Sequence, residues 1–209
     1  MKQTTHGSKY QYAFAIIGLV GLLSIGLSGC AGKVERIDAN STTDLSGDWN
    51  DTDSRLVAEE MIKDALSHPW VMQFTNSNRR NPTVIVGTID NKSHEHVNVE
   101  TFVNDMARAL INSGEVDFVA NKNSRNELRE ERQEQDIHAT EATRKAAGQE
   151  IGADFMLKGS INSIIDAVAK EQTRFYQVDL TLISLKDNKI VWVGQKKIKK
   201  AVSKKRVRL

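Results

Sequence analysis

Only one cysteine, Cys30, and two prolines, Pro69 and Pro82, occur in the 209 residues. A lone thiol forms no intramolecular disulfide, so stability must come from packing even in an oxidising compartment. Aromatic residues are sparse at 6%. Acidic residues are absent before Glu35 and again from residues 196–209. No Gly-rich phosphate loop follows a strand pattern, and no serine sits in a nucleophile elbow. No second cysteine is available as a nucleophile. These absences leave no catalytic constellation and imply neither an enzyme nor a cofactor. A run of spanning length is lacking too: residues 13–27 are fifteen largely apolar positions, where a membrane helix needs ~20.

What stands at the start is a positive n-region with Lys2 and Lys9, the short apolar core, and then Leu27-Ser28-Gly29-Cys30. That order predicts a signal peptide over residues 1–29. Its ending resembles the lipobox of bacterial lipoproteins. The resemblance implies cleavage between Gly29 and Cys30, a diacylglyceryl group on the Cys30 thiol, and an acylated amine. At ~0.8 kcal/mol per buried methylene, several acyl chains hold a protein on a membrane where one chain is marginal. In enterobacteria-like sorting an aspartate after the cysteine holds a lipoprotein in the inner membrane. Ala31 stands there, so the resemblance implies the outer membrane, with the chain facing the periplasm. Export also argues against nucleic acid as a partner.

Charge is balanced overall and uneven locally. The formal net charge is +2, and it comes from Lys2 and Lys9. Residues 196–209 carry eight lysines and arginines, so residues 30–195 are acidic by the same amount. An acidic body with a basic end presents separable electrostatic surfaces. Residues 30–47, rich in Ser, Thr, Asp and Asn, read as a flexible tether. Its eighteen residues reach ~60 Å at full extension. The folded domain is expected over 48–198, and a basic tail over 199–209.

Within the domain, Leu56, Val57, Met61, Ile62, Ala65 and Leu66 recur at helical spacing over Ser54–Leu66, with Thr52 or Asp53 as N-cap and Pro69 beyond the end. Trp70–Phe74 continues as an apolar stretch, and Thr75–Pro82 reads as a loop. Thr83–Ile89 is a β-branched strand. Val99–Asn112 is a second amphipathic helix with Gly114 placed for a left-handed cap. Glu115–Ala120 alternates as a short strand. A polar helix over Arg125–Gln135, capped by Asn123 or Ser124, and an alanine-rich helix over Thr140–Glu150 follow. The last third is β: Asp154–Ile165, Arg174–Leu185, a turn at 186–189, and Ile190–Ile198. This order predicts a single α+β domain, a mixed sheet of about five strands covered by about four helices and ending in an antiparallel meander.

Few residues stand out as chemistry. His94-Glu95-His96, with Asp90 nearby, is the best metal candidate, but it lacks further ligands at workable spacing and reads as a solvated loop. Trp192 in an alternating strand reads as core, and Trp49 as a staple between tether and domain. The charged helix offers Arg125 and Arg129 as docking residues, although alternating charges at i, i+3 and i+4 are usually a solvated face. Lys196 and Lys197 open a basic stretch with three readings: a solvated end, a contact for anionic lipid or lipopolysaccharide phosphates, or a steering patch for an acidic partner. Trp49, Arg125, Arg129, Lys196 and Lys197 are thus the candidate partner contacts.

Four blocks together resemble the LpoB family of penicillin-binding-protein activators. They are Asp48-Trp49-Asn50; Thr83–Asn91; Phe102–Gly114 with Phe118-Val119; and Ile151–Leu157 leading to Val178–Leu185 and Ile190–Gly194. The last pattern also occurs in the amino-terminal domain of TolB and in CsgG-type secretion subunits. The resemblance implies an outer-membrane lipoprotein that binds and activates a class A penicillin-binding protein. Enterobacterial members carry a long Pro-rich arm, whereas no proline lies in this tether. The alternative is a structural envelope-assembly lipoprotein or a CsgG-like secretion component, for which no segments long enough for transmembrane hairpins are available.

Overall fold

In the computed structural model, residues 34–143, 150–168 and 171–203 are described. They fall in two units. Residues 34–39 have no regular secondary structure, and everything from Asn40 onward belongs to one α+β domain. The signal peptide with Gly29 and Cys30, most of the alanine-rich Thr140–Glu150 segment, and residues 204–209 of the basic tail lie outside the described residues.

Helix α1 spans Asp51–Ser67. Its N-cap is Asn50, not Thr52 or Asp53. The Asn50 side chain accepts from the Asp53 N–H at 3.1 Å, and the Asp53 carboxylate accepts from the Asn50 N–H at 3.0 Å. This reciprocal box satisfies two donors at the helix start. Val57, Ala58, Met61, Ile62, Ala65 and Leu66 are buried along one side. Pro69 then opens a second helix, α2 (Trp70–Asn78), where the sequence suggested an apolar stretch and a loop. The fixed φ of proline suits a helix start. Trp70 lies edge-on to Phe155 at 4.9 Å, and Phe74 does so at 5.4 Å. This packing outweighs the weak helix propensity of the polar residues that follow.

Strand β1 (Thr83–Lys92), helix α3 (Val99–Ser113) and the two-residue strand β2 (Asp117–Phe118) come next. Gly114 caps α3 at φ +69°, as its position predicted. Helix α4 runs over Lys122–His138 with Asn121 as its cap, and none of its residues is buried. Strands β3 (Phe155–Val168), β4 (Glu171–Ser184) and β5 (Ile190–Ser203) are fourteen residues each. The sheet order is β2-β1-β3-β4-β5, with β1 parallel to β2 and β3, and β3, β4 and β5 antiparallel in turn. The expected mixed five-stranded sheet with a closing meander is therefore present, with four helices among the described residues.

The core lies between α1, α3 and one sheet face. Phe102 and Met106 of α3 meet Val84 and Val86 of β1, Leu157 and Ile161 of β3, and Val178, Leu180 and Leu182 of β4. Trp192 is buried there, and its indole N–H donates to Asp64 at 2.9 Å. Gly159 sits where the Asp179 carbonyl and the Leu180 side chain occupy the space a Cβ would need. Gly159→Ala should cost roughly 2 kcal/mol, the usual penalty for overpacking against backbone. Urea unfolding checks it: the midpoint should drop with the m-value unchanged, and an unshifted midpoint would show that the strands separate freely at this point.

Candidate functional surface

Residues that the composition reads as tether lie against the domain. Ser41 accepts a bond from the Thr52 hydroxyl at 3.3 Å through its carbonyl, and Asp44 pairs with Lys200 at 2.9 Å. The Gly47 carbonyl accepts from the Tyr176 hydroxyl at 3.0 Å, and Asp48 forms an ion pair with Arg174. Trp49 completes the strap. Its backbone N–H donates to Glu95 at 3.0 Å and its indole N–H to Ser54 at 2.8 Å. Its ring stands edge-on to Phe102 at 6.0 Å and to Tyr176 at 5.7 Å. The staple read from the sequence is therefore present, and it is deeper than a single aromatic contact.

Glu95 is the hub of this latch. One carboxylate oxygen accepts from Trp49, while the other takes the Tyr176 hydroxyl at 2.5 Å and Arg174 at 2.6 Å. Its flanking His94 bonds Ser163, backbone N–H to hydroxyl at 3.0 Å and ring Nδ1 at 3.1 Å. Among the described residues no group of three or more His, Cys, Asp or Glu is placed to hold a metal. Of this motif, His94 and Glu95 bond across the junction of strap and sheet.

At the other end of the latch, Lys200 lies under the strap with its side chain only 10% exposed, bonded to Asp53 at 2.5 Å and to Asp44. Strand β5 runs five residues past Ile198, so Lys199 and Lys200, assigned to the tail by composition, are strand residues. Alternation explains this: Lys196, Ile198 and Lys200 face α1 and the strap, while Lys197 and Lys199 face away.

Two of these groups are shifted in the same direction. Burial, then the Glu95 carboxylate, pushes the Tyr176 hydroxyl well above its ordinary value. Burial alone would lower the Lys200 ammonium, but Asp53 and Asp44 outweigh it and raise the pKa. A raised folded-state pKa gives stability that is fully present below the unfolded value and lost as pH rises above it. The unfolded values are ~10 for tyrosine and ~10.4 for lysine. The melting temperature should therefore hold steady from pH 7 to about pH 9 and fall above about pH 10. Tyr176→Phe should shallow that fall, and identical profiles for the two proteins would contradict the assignment.

The five candidate contacts do not form one patch. Trp49 is packed into the latch, and Lys196 reaches Glu60 of α1 at 2.5 Å. Lys197 is exposed on the other side of β5. Arg125 and Arg129 belong to α4. Arg125 lines a recess with Ile85, Gly87, Met156 and Lys158, strand positions that alternate with the core residues. Arg129 holds Glu150 in a two-point ion pair at 2.7 and 2.8 Å. That pair lowers the Glu150 carboxyl, chiefly by its hydrogen bond. A second two-point pair joins Arg80 to Asp154, both bonds at 2.7 Å, and Asp154 also accepts from the Thr83 N–H. The sequence reading missed Glu95, Arg174, Tyr176 and Lys200, whose partners lie far away along the chain.

The geometry defines a small strapped α+β domain with open surfaces and an exposed edge strand. The sequence profile described as "Peptidoglycan-synthase activator LpoB" matches residues 53–198. The chain belongs to the LpoB family. No curated protein matches it. Among solved structures it is similar to the LpoB C-terminal domain from Salmonella enterica, at 13% identity and TM-score 0.34, covering 62% of this chain and 93% of that one. It is also similar to the LpoB C-terminal domain from Escherichia coli, at 11% identity and TM-score 0.37, covering 68% and 97%. Lipoprotein GNA1162 from Neisseria meningitidis matches at 15% identity and TM-score 0.39, covering 60% and 88%. Structural likeness at this level carries nothing about function, and membership rests on the sequence match.

Proposed function

We propose that this chain is an outer-membrane lipoprotein, anchored through Cys30 and facing the periplasm, that binds a class A penicillin-binding protein and raises its rate of glycan polymerisation. The observation that carries the reading is the family match across residues 53–198, which includes every helix but the first residues of α1 and all but the end of β5. The described residues supply no catalytic constellation of their own, which suits a regulator acting by contact. Allosteric coupling of this kind is typically worth 1–3 kcal/mol, or about 5- to 150-fold in the coupled equilibrium.

The anchor has its own test. Cys30→Ala should leave an unprocessed precursor that takes up no labelled palmitate, because the thiol is the only acceptor for the diacylglyceryl group. Label in the variant would refute lipidation at Cys30. For the partner, the purified chain should bind the ectodomain of a class A synthase from the same cell with a dissociation constant of about 10 μM or tighter, or about −7 kcal/mol. If it binds none of them, the envelope-assembly scaffold replaces the activator.

A further inference from the structure

Strand β5 closes one side of the sheet, and no strand pairs with its outer edge among the described residues. The opposite edge is the two-residue β2, too short to template anything. Long open edges invite pairing, and proteins usually blunt them with proline, bulges or charge. β5 has fourteen residues and no proline. A register shift between Ile190 and Trp192 disrupts its start, and strap residues 44–47 share a recess with its end at residues 199–203. Across the stretch between them, charge is the main deterrent. Lys197 and Lys199 are exposed on its outward side and pair with no acid among the described residues.

Beside this edge runs a groove of about 500 Å³ between α1 and β5. Leu56, Val57 and Ile198 give it an apolar floor, and Leu56 is 45% exposed although it belongs to a core-facing helix. The acids lining the groove are each paired, Glu60 with Lys196, Asp53 with Lys200 and Glu59 with Arg55, whereas Lys63 has no ion-pair partner among the described residues. A strand added to β5 would lie about 4.8 Å outside it, with successive side chains on alternate faces. One set would enter the groove over Leu56 and Ile198. The other would stand beside Lys197 and Lys199.

We infer that the β5 edge and the α1 groove together accept an extended, acidic and apolar segment of a partner protein as a sixth strand. Main-chain bonds to β5 would supply much of the affinity, and alternate apolar side chains in the groove the selectivity. The open cations set the charge of the partner. They also exclude a second copy as the occupant, because antiparallel pairing of two β5 edges around Ile198 would set lysines against lysines.

The test is a random dodecapeptide library panned on the full-length chain in detergent, followed by fluorescence anisotropy of the selected peptides. These should be proline-free and alternate acidic with apolar residues. N-methylating one alternate set of amides in a selected peptide should weaken binding about tenfold or more, and methylating the other set should be tolerated, because only one set faces β5. Lys197→Glu combined with Lys199→Glu should also cost about tenfold, while Lys186→Glu in the β4–β5 turn should cost nothing. A library without binders, equal sensitivity to both methylation patterns, or affinity that survives the double charge reversal would each overturn the inference. No synthase takes part in this assay, so its failure is distinct from failure of the activator reading.

Discussion

Glu95→Ala should lower the unfolding free energy by roughly 3 kcal/mol, because it strips three partners at once from a mostly buried carboxylate. The Trp49 N–H, the Tyr176 hydroxyl and the Arg174 guanidinium all converge on it. Arg174 Nε is already buried without a partner among the described residues, so removing Glu95 takes one of the two carboxylates from that guanidinium. Glu95→Gln keeps one accepting oxygen but turns its amide NH2 toward the donors on the other side, so it should cost less than Glu95→Ala and still about 1–2 kcal/mol. A double-mutant cycle with Trp49→Ala should show coupling of at least about 0.5 kcal/mol, as expected for residues in direct contact. Release of the strap has its own signature: an Asp-specific protease and chymotrypsin should cut Glu95→Ala at Asp44, Asp48 and Leu45 before they attack the sheet. Loss of less than about 0.5 kcal/mol, within the range of ordinary surface changes, would mean that the latch is decorative.

The parts of the fold legible in the sequence were those with local periodicity. Val57 to Leu66 at helical spacing gave α1, the β-branched run gave β1, and Gly114 marked the end of α3. The turn before β5 was visible in Lys186-Asp187-Asn188-Lys189, and Asn188 does adopt a positive φ of 59°. What was hidden depends on distant partners. Helix α2 ends in a run of polar residues that looks like a loop, and the edge contacts of Trp70 and Phe74 with Phe155 hold it. The sequence predicts an end for β5 at Ile198, because four lysines within five residues resemble a solvated tail. Long aliphatic stems let such residues cover apolar surface while their ammonium groups find acids, and Lys196 and Lys200 do so with Glu60, Asp53 and Asp44. Asn50 is not distinguishable as the cap by residue type, because Thr52 and Asp53 are also good capping residues. The docking of Asp48 and Trp49 decides between them.

The latch was legible only as its separate pieces. Asp48-Trp49-Asn50 stood out, and so did the histidines flanking Glu95, but as a family block in one case and a weak metal candidate in the other. Nothing local joins them, since Glu95 meets Trp49 and Tyr176 only after β4 has been laid beside β3.

The measurement that bears most directly on the central claim is the rate at which a class A penicillin-binding protein consumes lipid II, with and without the purified chain. The account predicts a rise of about fivefold or more at saturating protein, in line with a coupling of at least ~1 kcal/mol. The chain alone should consume no lipid II. Half-maximal stimulation should occur near the dissociation constant of the pair and move to higher concentration with added salt if exposed charges steer the encounter, since these are screened beyond ~8 Å at physiological ionic strength. An unchanged rate with every class A synthase of the same cell, at concentrations where the chain is folded, would contradict the activator reading outright.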